Sequence, residues 1–184
     1  MKRVIVLFVL IVVGCGTEPT RHPPGGPPLT AVTEDEARAL LNDLRLDLQD
    51  VSLAQVGGKT LEPSTVRGQL QIELSAPALF EQNNAQVRAE ALKPLAEIAQ
   101  DVGARGGCVV HVLSFSGDDA GADLAERRAA AVADVFAHRS VAASRLRFES
   151  RVEGKPGDRI VIVLKPVIIG RESPAWMRPV LQHE

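Results

Sequence analysis

The stretch VRGQLQIELSAPALFEQNNAQVRAEALKPLAEIAQDVGARGGCVVHVLSF, residues 66–115, changes its hydrophobic period twice, and those changes decide the fold class. Leu70, Ile72 and Leu74 alternate with Gln71 and Glu73, the period of a half-buried strand, expected over Val66–Leu74. Val87, Leu92, Leu95, Ile98, Ala99 and Val102 then recur at helical spacing. Pro94 sits early in that pattern, so the regular helix is expected to begin only a few residues before it. Cys108–Phe115 is an apolar run of strand length. The segment is β-α-β.

Working outward, Leu124, Val132, Val135 and Phe136 mark a second helix over about 122–138. Leu146, Phe148 and Ser150 outline a third strand, and IVIVLKPV from Ile160 a fourth. Upstream, Thr33 and Glu36 form a capping box before Ala37, Leu40, Leu41, Leu44 and Leu48, so an additional helix is expected over 34–49. Gly57-Gly58 and Pro63 mark a loop. After the first helix the order is β-α-β-α-β-β. This implies an α/β fold of the α+β sandwich kind, with two helices on one mixed sheet and a hairpin or short crossover at the end.

The first fifteen residues, MKRVIVLFVLIVVGC, have a basic start, ten apolar residues from Val4 to Val13, and a small residue before Cys15. The run is short for a bilayer span, which needs about 20 residues, and suits a signal peptide. Its end resembles the bacterial lipobox, in which the cysteine is diacylated and becomes the new N-terminus. The resemblance implies a lipid anchor on Cys15, with two or more acyl chains for stable attachment. Gly16 in place of Asp implies the outer membrane as destination. Residues 16–30, with five prolines and three glycines, read as an extended tether reaching at most roughly 45 Å. The chain therefore divides into a signal peptide at 1–14, anchor and tether at 15–32, helix and loop at 33–65, the main domain at 66–170, and a tail at 171–184 containing Trp176.

Composition narrows the function. The formal charge of -2 becomes about -4 once Lys2 and Arg3 leave with the signal peptide, which argues against nucleic acid as a partner. Five Phe, one Trp and no Tyr provide few stacking platforms, so charge and hydrogen bonds are expected to dominate any recognition. Past Cys15, Cys108 is the sole thiol, and its apolar run makes a buried, inert residue the expectation. The four histidines are scattered, none at zinc spacing, and His111 reads as an edge or solvent residue. Neither metal nor cofactor is expected. No motif of an enzyme is present either.

Three further stretches carry a resemblance: LFEQNNAQVRAEALKPLAEIA at 79–99, LAERRAAAV at 124–132, and GDRIVIVL at 157–164. With VAASRL at 141–146, they resemble the OmpA-like peptidoglycan-associating domain of the Pal-like lipoproteins, over about Leu70 to Val167. In that family an Asp after the second strand takes the ammonium of diaminopimelate in the wall's stem peptide. The Arg of an "LSxxRAxxV" pattern takes its carboxylate. The resemblance implies a periplasmic domain bound non-covalently to peptidoglycan, with the membrane reached through covalent lipid. Arg128 falls on the family's Arg, and Ser116 on the Thr of its "GHTD". Gly117 stands where the Asp belongs, which leaves Asp118 or Asp119 to serve from a shortened loop, and Arg159 is what survives of a closing "NRR".

The residues support the oddity of Arg128 independently. Leu124, Arg128 and Val132 share one helix side, so Arg128 faces the core and must find an acceptor. Arg127 follows Asp123 by four residues and reads as a solvent-facing ion pair. An internal acid such as Glu153 would give Arg128 a purely structural role. The shortened loop favours that alternative, an OmpA-like fold that has lost the wall ligand and binds an envelope protein, with the 34–49 helix as a docking face.

Overall fold

The structure, a computed structural model, describes Pro27 and residues 29–49, 63–117, 121–153 and 158–171. Its elements run α1 (Glu34–Gln49), β1 (Ser64–Val66), β2 (Gln69–Ser75), α2 (Ala76–Leu79), α3 (Ala89–Gly103), β3 (Cys108–Ser116), α4 (Ala122–Ala137), β4 (Leu146–Val152) and β5 (Arg159–Pro166). The five strands form one mixed sheet in the order β1-β2-β5-β3-β4, in which only β3 and β4 are parallel.

Period two sorts the strands cleanly. Leu70, Ile72 and Leu74 of β2, Val110 and Val112 of β3, and Ile160, Ile162 and Leu164 of β5 are all buried on the helical side. Leu95, Ile98 and Val102 of α3 and Val132 and Phe136 of α4 close the same core. Each such side chain contributes about 1.5–3 kcal/mol by leaving water. The additional helix α1 joins this core through Leu41, Leu44 and Leu48. On the reverse face Leu113, Phe115, Val161 and Val163 make a separate, smaller cluster.

One expectation about the strands is corrected. The expected strand Val66–Leu74 breaks at Arg67-Gly68, whose φ values of 51° and 73° turn the chain back into a β1–β2 hairpin. Alternation continues through that turn, which is why the pattern did not reveal it. Of the two connections expected at the end, the last strands take the short crossover and not the hairpin. β5 inserts antiparallel between β2 and β3, while β4 takes the outer edge beside β3.

The capping box at the start of α1 closes as expected. The Thr33 N–H donates to Glu36 Oε2 at 2.7 Å, and the Glu36 N–H donates to Thr33 Oγ1 at 3.3 Å. Just before it, the N-terminal segment docks on the sheet. Thr30 N–H donates to the Gly106 carbonyl, Val32 N–H to Val167, and Ile169 N–H to Val32. Leu29 packs on Val109 and Val167. These contacts gather where β3 begins and β5 ends.

Candidate functional site

The opposite pole, where β3 ends and β5 begins, holds Arg128. α4 turns this residue inward beside Ala129 and Val132, so its side chain is only 7% exposed, the core-facing placement that its spacing implies. Nη1 donates to Asp158 Oδ2 at 2.8 Å, Nε to the Asn84 carbonyl at 3.0 Å, and Nη2 to the Glu81 carbonyl at 3.4 Å. The Phe80 ring lies 5.2 Å from the guanidinium carbon, a cation–π contact. The internal acid is thus Asp158, at the second position of Gly157-Asp158-Arg159, and not Glu153. Its own side chain remains 45% exposed.

Local structure explains why Asp158 lands there. The pairs Ser75↔Arg159 and Phe115↔Arg159 set the register at the start of β5. One step earlier, the Ala76 N–H donates to the Asp158 carbonyl at 3.1 Å, fixing the Asp158 backbone over the start of α2. Continuing the same register places Ser116 across from Asp158. Ser116 is buried, and its carbonyl accepts from the Glu153 N–H.

The other expected site residues are scattered. Arg159 alternates to the reverse face with Val161, stacks 4.2 Å over Phe115, and pairs with Glu73 at 3.7 Å and with Glu153. The sheet itself separates it from Arg128. Asp118, Asp119 and Cys15 lie outside the described residues. Gly117 is exposed. Arg127 pairs with Asp123 at 3.9 Å in solvent, as its spacing implies.

Away from this pole, Cys108 is fully buried, and burial pushes its thiol up from the ordinary value, opposed in part by Arg145. His111 is not on an edge: it is half-buried on the inner strand β3, 3.5 Å from Glu149. Among the described residues, no three His, Cys, Asp or Glu side chains gather as a metal site. Also among them, no helix is long and apolar enough to cross a membrane. An open groove of about 360 Å³ lies between α3 and the end of α4, lined by Leu92, Lys93, Glu97, Gln100 and Arg139. It does not include Arg128.

Comparison with solved structures places this arrangement. A MotB-like protein from Desulfovibrio vulgaris superposes with a TM-score of 0.61 at 15% identity, covering 77% of this chain and 94% of that one. The fold is the MotB-like one. The periplasmic domain of Helicobacter pylori MotB gives 0.54 at 19% identity, over 62% of this chain and 84% of that one. The cell wall anchor of the T6SS from Pseudomonas aeruginosa gives 0.53 at 21% identity, over 71% and 96%. No family model and no curated protein matches the sequence. The α+β class with one mixed sheet, implied by the OmpA-like resemblance, therefore holds in this chain.

Sequence reasoning missed Asp158 as a partner of Arg128. The signal was present: an acid stands where the resemblance calls for a basic residue.

Proposed function

We propose that this chain is an envelope protein anchored in the outer membrane through lipid on Cys15. Its MotB-like domain then associates with peptidoglycan in the periplasm, without cutting any wall bond. One observation carries the reading, the polarity of the domain. The N-terminal segment joins the fold at Gly106 and Val167, where β3 begins and β5 ends. Arg128 and Asp158 lie at the other ends of those strands. Strands of this length separate the two poles by roughly 25 Å. A tether at one pole and a charged pair at the other suit a protein that bridges membrane and wall. The wall-facing group would be a stem-peptide amino acid such as diaminopimelate, met at the Arg128–Asp158 pair.

A second reading keeps the fold and drops the wall ligand, making the domain a docking module for an envelope protein. The engaged state of Arg128 favours it, because protein oxygens already accept from all three guanidinium nitrogens. Retention of the full chain on purified sacculi separates the two. Wild type should be retained, and Arg128→Ala should lose most of that retention. Equal retention of both, or of neither, removes Arg128 from the wall-binding role.

A further inference from the structure

We infer that Asp158, rather than Arg128, meets the ligand at this pole, and that it takes a primary ammonium while the ligand's carboxylate goes unread. The inference rests on the wall-binding reading above. A two-pronged grip on a carboxylate needs two neighbouring guanidinium nitrogens aimed at it. In Arg128 each nitrogen already donates, to Asp158, Asn84 and Glu81, and the side chain is 7% exposed. Three of its five N–H donors are therefore engaged, and burial keeps the remaining ones, on Nη1 and Nη2, from a second carboxylate.

Asp158 is differently placed. It gives Oδ2 to Arg128 yet stays 45% exposed, and a carboxylate accepts at about four sites. The other acid near in sequence, Glu153, is occupied by Arg159. Arg128 is then a positioning residue that fixes the Asp158 carboxylate from below.

Selectivity follows directly. Diaminopimelate, its amidated form and lysine all end in the same ammonium and differ at the carboxylate. A site that reads only the ammonium treats them alike.

The test is titration of the full chain with four stem tripeptides. They carry diaminopimelate, amidated diaminopimelate, lysine or acetyl-lysine at the third position. The first three should bind within about threefold of one another, and acetyl-lysine should lose roughly tenfold, as expected for removal of one charged contact. Asp158→Asn should weaken the first three equally, and Asp158→Glu should retain them. Arg128→Lys should weaken all three without changing their ratio. Should Asp158→Asn fail to fold, the peptide series on wild type decides alone. A preference of about tenfold or more for free diaminopimelate, or a ratio shifted by Arg128→Lys, overturns the inference while wall binding stands. Retention on sacculi without binding of any tripeptide does the same. If wild type binds neither sacculi nor tripeptides, both readings fall.

Discussion

Arg145 donates from Nη2 to the Val102 carbonyl at 3.0 Å, in the last turn of α3, from a position with no exposed surface. Nε donates to the Cys108 carbonyl at 2.9 Å, and the fork also reaches the carbonyls of Gly103, Arg105 and Pro27. Its partners among the described residues are backbone oxygens and the Cys108 sulfur, with no carboxylate. The last turn of α3 has no basic residue of its own, so this cation from a later turn meets the negative helix end. It also ties the start of β3 and the N-terminal segment to the same point.

Arg145→Ala is therefore expected to cost on the order of 3–5 kcal/mol, since several buried acceptors lose their donor together. Arg145→Lys should recover little of it, because a single ammonium cannot span the fork's acceptors. Urea unfolding of the full chain measures both. A midpoint within experimental error of wild type for Arg145→Ala would refute the keystone role.

The Arg128–Asp158 pair joins one buried partner to one half-exposed partner, so its coupling should fall between those of surface and buried pairs. A double-mutant cycle of Arg128→Ala and Asp158→Ala is expected to give about 1–2 kcal/mol. The single Arg128→Ala change should cost more than Asp158→Ala, because it also removes the donors of the Asn84 and Glu81 carbonyls. The reverse ranking would show that Asp158 holds the pole together by other means.

Local periodicity made much of this fold legible. Thr33 and Glu36 announced α1, and the spacing of Leu124, Arg128 and Val132 placed Arg128 inward. Interactions that are distant in sequence were not legible. Nothing in IVIVLKPV says that β5 enters between β2 and β3, because pairing partners far apart leave no mark on a strand's own pattern. Arg145 in VAASRL looks like any charged residue in a turn, and only the assembled end of α3 shows what it satisfies. Asp158 and Arg159 are adjacent yet serve opposite faces, since a strand alternates its side chains.

His111 supplies a pH dependence. Burial holds its imidazole below the ordinary value of 6.5, with Arg151 and Arg147 acting in the same direction and Glu149 opposing. The folded state therefore resists protonation more than the unfolded chain does. Its contribution is fully present above 6.5 and declines as pH falls below that value toward the lowered one. Wild type should lose stability between pH 7 and pH 5.5 by more than His111→Gln, on the order of a few tenths of a kcal/mol to 1 kcal/mol. Parallel slopes for the two proteins would assign the acid sensitivity elsewhere.

Gly103 sets two opposing effects against each other. In an exposed helix, Gly→Ala gains about 1 kcal/mol from backbone entropy. Here an added Cβ would meet the Ser140 carbonyl oxygen at 2.8 Å and its carbon at 3.0 Å. Both atoms are backbone, and Ser140 already holds φ at 86°, where a side chain is strained. The turn after α4 cannot retreat without moving Val141, whose N–H donates to the Phe136 carbonyl and whose side chain is buried. Overpacking of this kind costs about 1–3 kcal/mol, so the clash should win and Gly103→Ala should destabilise. Ser140→Gly should relieve the strain at φ 86° and stabilise by roughly 0.5–1 kcal/mol. In the double variant that relief should persist while the Gly103 clash remains, because the obstructing oxygen belongs to the backbone. Thermal unfolding of the four proteins orders them, and a stabilised Gly103→Ala would mean that the turn yields more easily than its packing implies.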